Sequence, residues 1–256
     1  MNLLFNSQLA DGYSSFSQKI RVMSEDWVES HIFCPNCGAE RINRYSNNKP
    51  VADLFCRDCI EDFELKGKQK KIGSKVVDGA YYSMIERLTS LNNPNFFLLT
   101  YDSNRLEVSN FVVIPKHFFV PQIIEKRKPL GENARRAGWV GCNIILSSIP
   151  DSGKIYYVRN GKIETKERVL DNWRKTLFLR EEKEIPAKGW LIDLMRSIER
   201  IGSKEFLLED VYAFENELSK LHPKNKHIKD KIRQQLQVLR DKDYLKFLGN
   251  GKYRIN

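Results

Sequence analysis

Two Cys-x-x-Cys pairs constrain this chain more than any other feature of its sequence. Cys34 and Cys37 form the first pair, Cys56 and Cys59 form the second, and eighteen residues separate the pairs. Four thiolates at this spacing suit a tetrahedral Zn²⁺, and four cysteine ligands leave no open coordination position. The spacing therefore predicts a structural zinc site. Two disulfides are the alternative, which a reducing compartment disfavours. The fifth cysteine, Cys142, is expected to be a small buried core residue.

Two carboxylates and a lysine surround the second cysteine pair. Asp53 lies in an apolar segment, residues 51–55, that we predict to be a short strand. Glu64 and Lys66 lie two apart in a second predicted strand, so their side chains share one face. If the two strands pair, Asp53 and Glu64 could hold Mg²⁺ through oxygen ligands. That ion would polarise a scissile phosphate and activate a water, while Lys66 stabilises the developing charge. Alone this spacing is a weak motif, and an exposed edge strand with solvated charges is the alternative.

The composition indicates a core-forming protein with a polyanionic partner. Hydrophobic residues make up 41% of the 256 residues, and 43 Lys and Arg exceed 33 Asp and Glu for a net charge of +10. A strongly basic protein of this kind often binds nucleic acid. No apolar run reaches the ~18 residues of a membrane span. The first residues lack the features of a secretory signal, so we expect a cytoplasmic protein.

A helix is predicted near the start of the chain. Phe16, Ile20, Met23 and Trp27 recur at helical spacing and are expected to pack into a core. Glu25 lies on the same helix, where an exposed carboxylate is the expected role.

The next 150 residues alternate between helical and strand patterns. Helices are predicted at 81–91 and 165–178, and strands at 95–101, 111–114, 143–146 and 155–158. Asn160-Gly161 is typical of a hairpin turn. This mixture predicts an α/β domain over residues 1–181. Residues 181–189 are charged and contain Pro and Gly, which favours a linker.

Residues 187–256 predict a separate winged-helix domain. Three helical patterns, at residues 190–201, 208–221 and 226–240, are followed by a hairpin that turns at Gly249-Asn250-Gly251. From Ser219 onward there are eleven Lys and Arg but only three acidic residues. The second helix of a helix-turn-helix enters the major groove of DNA. The candidate DNA-binding residues at and after the start of that helix are Lys224, Asn225, Lys226, His227, Lys229 and Arg233. A non-specific basic face is the alternative, and winged helices also dock proteins.

Nearly the whole chain resembles the methyl-directed restriction endonucleases of the DpnI type. The resemblance rests on CPNCG, NNKPVADLFC, FELK, NPNFFLLTY, ARRAGWVGCN and HIKDKIRQQLQVLRDK. It implies a PD-(D/E)xK nuclease core with an embedded four-cysteine zinc site, a C-terminal winged helix, and cleavage of GATC containing N6-methyladenine. It also implies that Asp53, Glu64 and Lys66 are catalytic, and that the four paired cysteines bind zinc. Pro50 lies three residues before Asp53, so the literal Pro-Asp dipeptide is absent.

The segment ARRAGWVGCN supplies further candidates for DNA contact. Arg135 and Arg136 suit phosphates or guanine. The resemblance implies that Trp139 meets the methylated adenines, whereas core packing is the ordinary role of a lone Trp. The preferred hypothesis is a Mg²⁺-dependent type II endonuclease, a hydrolase of a restriction system. The alternatives are a non-catalytic zinc and winged-helix regulator, or a nuclease of another specificity.

Overall fold

The centre of the fold is a strand buried on both faces, β5 (Asn95–Asp102). The computed structural model describes residues 1–46, 52–69, 71–88 and 93–256. Phe96 and Leu98 of β5 face one hydrophobic core, whereas Phe97 and Leu99 face another. A strand covered on both sides has a continuous apolar sequence. The strand predicted from NFFLLTY is therefore confirmed.

Seven strands of the described part form the large sheet around β5. The others are β1 (Asn43–Arg44), β2 (Leu54–Phe55), β3 (Asp62–Gln69), β6 (Glu107–Ile114), β9 (Ile155–Arg159) and β10 (Lys162–Ile163). The order is β1-β2-β3-β5-β6-β9-β10, in which β3 and β5 are parallel and all other neighbours are antiparallel. The predicted strand at 51–55 is observed only as β2, and residues 47–51, Pro50 among them, lie outside the described residues.

A small sheet lies on the same side as the first core. It has the order β4-β8-β7, formed by β4 (Lys75–Ala80), β8 (Gly141–Ile145) and β7 (Ile124–Lys126). Helix α2 (Tyr81–Leu88) follows β4 directly and is predicted in the right place. The predicted end of this helix, at residue 91, lies outside the described residues.

Helix α1 (Phe16–His31) covers the other face of the large sheet. Ile20, Met23 and Trp27 are buried in the second core, as their spacing predicted. Phe16 is 53% exposed, so its inclusion in the apolar stripe was wrong. The second predicted helix of this region is α3 (Lys166–Arg174), which is shorter than expected because the chain continues into a separate 3-10 turn.

A buried polar network holds this 3-10 turn against the sheet. Arg180 donates to Glu61 Oε1 at 2.8 Å and to His117 Nδ1 at 3.3 Å. The Thr176 hydroxyl already donates to the Trp173 carbonyl, so it must accept from His117 Nε2 at 3.0 Å. His117 is therefore held as the neutral Nε2–H tautomer. Burial, followed by the charge of Arg180, places the pKa of His117 well below 6.5.

The C-terminal region has the element order of a winged helix. Its elements are α4 (Ile185–Arg200), β11 (Glu205–Leu207), α5 (Leu208–Tyr212), α6 (Glu215–Leu221), α7 (Ile228–Asp241), β12 (Leu245–Gly249) and β13 (Lys252–Ile255). The three strands form a sheet of order β11-β13-β12. The winged-helix plan is thus confirmed. The single helix expected over residues 208–221 is two helices. The short strand β11 was missed because three residues are too few to show the alternation of apolar and polar side chains that marks a strand.

The expected linker is partly helical. Residues 185–189 form the start of α4, with Pro186 in its first turn, where the missing backbone N–H has no intrahelical partner to lose. Leu191 and Met195 of α4 lie in the same buried core as Phe96 and Phe118 of the α/β region. Pro and Gly here mark a helix start and not a break.

A carboxylate fastens α4 to the α/β region. Glu199 accepts from the backbone N–H of Asp151, and from that of Ser152 at 3.1 Å. The hydroxyl of Tyr244 also donates to Glu199, at 2.9 Å.

None of the helices within the described residues has the length and hydrophobicity of a membrane span.

The buried imidazole predicts a specific pH dependence of stability. Below pH 6.5 an unfolded-state histidine gains a proton that folded His117 cannot accept. The unfolded state therefore binds more protons, and the free energy of unfolding decreases as the pH is lowered. We expect a contribution of up to about 1.4 kcal/mol per pH unit. His117→Gln should lower stability at pH 7, and the gap from the unsubstituted protein should narrow towards pH 5. Urea unfolding at pH 7, 6 and 5 measures this, and parallel curves would contradict it.

Candidate active site and metal centre

Two tight turns present the four paired cysteines to one point. In the first, the N–H of Gly38 donates to the Cys34 carbonyl at 2.9 Å, and in the second, the N–H of Ile60 donates to the Cys56 carbonyl at 3.0 Å. Both residues have positive φ, +81° for Gly38 and +59° for Ile60. The two turns are therefore copies of one backbone geometry, although only one carries the glycine that favours it.

The sulfur atoms form a cluster suited to a metal ion. All four lie within 4.8 Å of one another, with Cys34 Sγ 3.5 Å from Cys59 Sγ and Cys37 Sγ 3.6 Å from Cys56 Sγ. Four sulfurs around a zinc ion would be roughly 3.8 Å apart. All five cysteines are free thiols, so the disulfide alternative is not what the structure has. Cys142 is buried outside the cluster, as expected.

Two of the four thiols, Cys34 and Cys37, have raised pKa values. Burial raises the pKa of Cys34, and it raises the pKa of Cys37 to about 11. At neutral pH such thiols stay protonated unless a bound metal displaces the proton. The donor set is soft and fully closed, which fits a structural Zn²⁺.

Asp53 lies beside β3, three residues before Cys56. Its backbone N–H donates to the Phe63 carbonyl at 3.1 Å, and its Oδ2 accepts from the Leu65 N–H at 2.8 Å. These two bonds lie on either side of Glu64. They fix where the Asp53 carboxylate sits relative to β3.

Glu64 and Lys66 project together from β3, as predicted. Lys66 Nζ lies 2.6 Å from Glu64 Oε1 and 2.7 Å from Asp78 Oδ1. Arg87 Nη1 is 3.5 Å from Glu64 Oε2. Asp53 is thus bonded to the backbone between Glu64 and Lys66, whose side chains pair with each other, and Asp78 of β4 joins Lys66. No sequence pattern indicated Asp78, because it belongs to a different sheet.

Burial and the neighbouring charges both shift the pKa values of this cluster. Burial raises the pKa of Glu64, the Lys66 ammonium opposes this shift, and the nearby Asp78 adds to it. Burial alone would lower the pKa of Lys66, but Glu64 and Asp78 outweigh it and raise that pKa to about 12. Lys66 is therefore an ammonium at neutral pH and acts as a cation. Clustered carboxylate oxygens are the ligands that Mg²⁺ prefers.

Glu25 is a further carboxylate of this region. The expectation that it is exposed was wrong, because only 7% of it is accessible. It accepts from Arg44 at 3.4 Å and lies 3.7 Å from Arg21. Burial raises its pKa, and among the smaller causes the charge of Asp53 raises it too. Helix α1 thus brings Glu25 within electrostatic range of Asp53.

The predicted DNA segment around Trp139 forms a loop at one end of the small sheet. Arg135 and Arg136 are exposed, and Trp139 is half-buried. The Trp139 ring lies over Gly141, where a Cβ would come within 2.8 Å of it. Trp139 belongs to neither hydrophobic core, so the core-packing alternative does not describe it. The loop leads directly into β8, in which Cys142 pairs with Asp78.

The predicted contacts at the start of the recognition helix need a correction. Lys224, Asn225, Lys226 and His227 precede α7, which begins at Ile228, so they form the turn before the helix and not its first turn. Asn225 Oδ1 accepts from the His227 N–H at 2.8 Å, which commits this acceptor to shaping the turn. Lys224 and Lys226 are exposed.

The two predicted residues within α7 are exposed but partly engaged. Lys229 Nζ lies 3.5 Å from Glu215 Oε2 and 5.2 Å from the centre of the Tyr212 ring. Arg233 pairs with Asp230 at 2.9 Å. Both pairs are surface ion pairs that a phosphate could replace at small cost.

Two exposed glutamines of α7 were missed. Gln234 and Gln237 lie three residues apart on the helix and are both accessible, whereas Gln235 between them is buried. A glutamine can pair with the N6 and N7 edge of adenine in the major groove. The signal was present in QQLQV, where the apolar period of the helix separates the two accessible glutamines from the buried one.

The unequal pair of turns predicts a stabilising substitution. Ile60 is 82% exposed and adopts a left-handed backbone that costs an L-residue about 1–2 kcal/mol. Ile60→Gly relieves this strain, so we expect the free energy of unfolding to rise by roughly 0.5–1 kcal/mol after the entropy of the added glycine is subtracted. Gly38→Ala, at the equivalent position of the other turn, should lower it. Chemical unfolding measures both, and a loss of stability in Ile60→Gly would contradict the argument.

Comparison with known protein families covers almost the whole chain. The model of the Dam-replacing family (DpnI) matches residues 1–182. The model of the Dam-replacing HTH domain matches residues 186–255. The helix-turn-helix match agrees with the helices and strands of the C-terminal region and indicates DNA binding. Membership indicates a restriction nuclease that depends on DNA methylation. With both models matched in order, this chain belongs to the Dam-replacing family of DpnI.

Proposed function

We propose that this protein is a Mg²⁺-dependent type II endonuclease that cleaves double-stranded DNA at GATC containing N6-methyladenine. In this proposal residues 1–181 form a PD-(D/E)xK catalytic domain and residues 187–256 form a DNA-binding domain. The observation that carries it is that Asp53 accepts from the Leu65 N–H, between Glu64 and Lys66, whose side chains pair at 2.6 Å, in a member of this family. An exposed edge strand with solvated charges would not bury the side chain of Glu64, which is only 15% exposed.

The residues present suit hydrolysis of a phosphodiester. Asp53 and Glu64 would hold Mg²⁺, and the ion would polarise the phosphate and lower the pKa of an attacking water. Lys66, kept positive by its neighbours, would stabilise negative charge developing on the phosphate oxygens. Arg87, already near Glu64, adds positive charge on the same side.

Two surfaces would bind the DNA. The turn of residues 224–227 and the exposed side of α7 form one, with Lys224, Asn225, Lys226, His227, Lys229 and Arg233 as candidates. The loop of residues 127–140 forms the other, with Arg135, Arg136 and Trp139. This loop is continuous with β8, whose partner strand β4 carries Asp78 beside Lys66. A duplex bound against the loop would therefore lie near the carboxylate cluster.

Both surfaces would read the methyl group. A methyl on adenine N6 projects into the major groove. Burying one methyl gains about 0.8 kcal/mol, roughly a fourfold difference in affinity, so a single contact discriminates weakly. Two contacts used together would sharpen the choice, and the half-exposed Trp139 ring offers an apolar face for one of them.

Cleavage of plasmid DNA tests this function. We expect methylated plasmid to be cut at GATC in the presence of Mg²⁺, and unmethylated plasmid or Mg²⁺-free reactions to remain intact. Asp53→Ala and Glu64→Ala should each lower the cleavage rate by roughly 100-fold or more while DNA binding persists, because each removes a metal ligand and not a phosphate contact. Lys66→Ala should lower the rate similarly while metal binding persists, because Lys66 acts on the charge of the reacting phosphate.

The matched control is Asp58→Ala, which removes an exposed carboxylate within the second cysteine pair. Its rate should stay near that of the unsubstituted protein. Near-normal cleavage by Asp53→Ala would refute the active-site assignment. Binding of methylated DNA without any cleavage would favour the zinc and winged-helix regulator, and cleavage at other sites would favour a nuclease of another specificity.

The cysteine cluster predicts the metal content of the purified protein. We expect one zinc per chain, measured by elemental analysis and resistant to mild chelation. Cys56→Ser should lose the metal and lower stability, because structural zinc contributes directly to folding. Cys142→Ser is the control, since Cys142 is equally buried but outside the cluster and should leave the zinc in place. Folded, active protein without zinc would show this assignment to be wrong.

A further inference from the structure

Asp78 is a buried member of the carboxylate cluster to which the proposed mechanism assigns no role. It lies on β4, and its side chain is only 5% exposed. Its Oδ1 accepts from Lys66 Nζ at 2.7 Å and from the Gly79 N–H at 2.7 Å. Its Oδ2 is buried and has no hydrogen-bond partner among the described residues. A buried carboxylate with one unsatisfied oxygen is costly, which points to a functional reason for keeping it.

The backbone around Asp78 fixes its direction. The pairing of β4 with β8 shifts register between Asp78 and Ala80, so the strand bulges at this carboxylate. Bulges re-aim side chains and are frequent next to active sites. The partner strand places buried Cys142 opposite Asp78. Asp78 is therefore aimed at Lys66 from a sheet that is separate from the one carrying Lys66.

Lys66 lies between two carboxylates that have different tasks. Its ammonium is 2.6 Å from Glu64 Oε1 and 2.7 Å from Asp78 Oδ1. In the proposed function Glu64 gives its oxygens to a divalent cation. A divalent cation held by Glu64 would repel the Lys66 ammonium and weaken its ion pair with Glu64. Asp78 remains as the anion that can keep Lys66 at the edge of the site.

We propose that Asp78 is a positioning residue that holds the Lys66 ammonium in place when a divalent cation takes over Glu64. This role rests on the proposed function. It acts through Lys66 alone, with no direct contact between Asp78 and the metal or the DNA. The outer partners of catalytic groups in metal sites commonly contribute 10- to 100-fold to activity.

Kinetics of Asp78→Asn test the role. The substitution keeps the shape and an acceptor for the Gly79 N–H but removes the charge. At saturating Mg²⁺ we expect kcat on methylated DNA to fall on the order of 10- to 100-fold, with KM for DNA unchanged. Asp78→Glu, which retains the charge, should recover part of the loss. The control is Glu125→Gln, which breaks the 2.6 Å ion pair with Lys75 in the same small sheet and should leave kcat within about twofold.

A spectroscopic measurement separates this role from metal ligation and from a purely structural effect. Lysine ammonium groups held in ion pairs give ¹H–¹⁵N signals, and the Lys66 signal is identified by its absence in Lys66→Arg. Without DNA, the signal should persist in the unsubstituted chain when Mg²⁺ is added and disappear in Asp78→Asn under the same conditions.

Three results would overturn the proposal. They are loss of the Lys66 signal in the unsubstituted chain on adding Mg²⁺, its persistence in Asp78→Asn, and full recovery of the Asp78→Asn rate at high Mg²⁺, which would make Asp78 a metal ligand. If Asp78→Asn fails to fold, the unsubstituted chain with and without Mg²⁺ still decides. If that chain cleaves no DNA, the proposed function fails, whereas the Lys66 signal still reports on Asp78.

Discussion

The pairing of β2 with β3 is the constraint on which the candidate site depends. β2 has only two residues, Leu54 and Phe55, which is too short to hold a position by its own ladder. The cysteine turn that follows it supplies the missing restraint, because the Cys56 N–H bonds the Glu61 carbonyl at 2.9 Å and the four sulfurs gather behind it. Asp53 can therefore reach the Leu65 N–H and lie beside Glu64. The four-cysteine cluster and the Asp53 carboxylate are therefore connected through β2.

The carboxylate cluster is assembled from separate parts of the fold. Asp53 comes from the segment before β2, Glu64 and Lys66 from β3, Asp78 from the small sheet, and Glu25 from α1. Each carboxylate raises the electrostatic cost of the next, so the cluster needs cations to be stable. Lys66 supplies one, and a divalent ion between Asp53 and Glu64 would supply the other. These carboxylates would repel a phosphate backbone in the absence of a divalent cation, so in the proposed function metal binding and DNA binding would be coupled.

The C-terminal region is attached more firmly than a flexible linker would allow. Helix α4 starts at Ile185 and buries Leu191 and Met195 in the same core as the α/β region. Glu199 adds three hydrogen bonds to this junction, donated by two backbone N–H groups and the Tyr244 hydroxyl. Such a junction limits the relative motion of the two proposed DNA-binding surfaces, since apolar contacts and the hydrogen bonds of this carboxylate must both be broken to separate them.

The sequence by itself determined the features that depend on local spacing. These are the four-cysteine cluster, the shared face of Glu64 and Lys66, the buried strand β5 and the winged-helix order of the C-terminal region. Tertiary structure alone decided which distant groups meet. Asp78 meets Lys66 only because the small sheet that contains β4 lies against the large sheet. Glu25 is buried only because α1 packs against the large sheet. The sequence pattern also misplaced two residues. Pro186 was expected in a linker but lies in the first turn of α4, and Asn225 was expected at the start of the recognition helix but shapes the turn before α7. Side-chain period and turn chemistry are encoded within a few residues, whereas the convergence of separate sheets is set by packing across the whole chain.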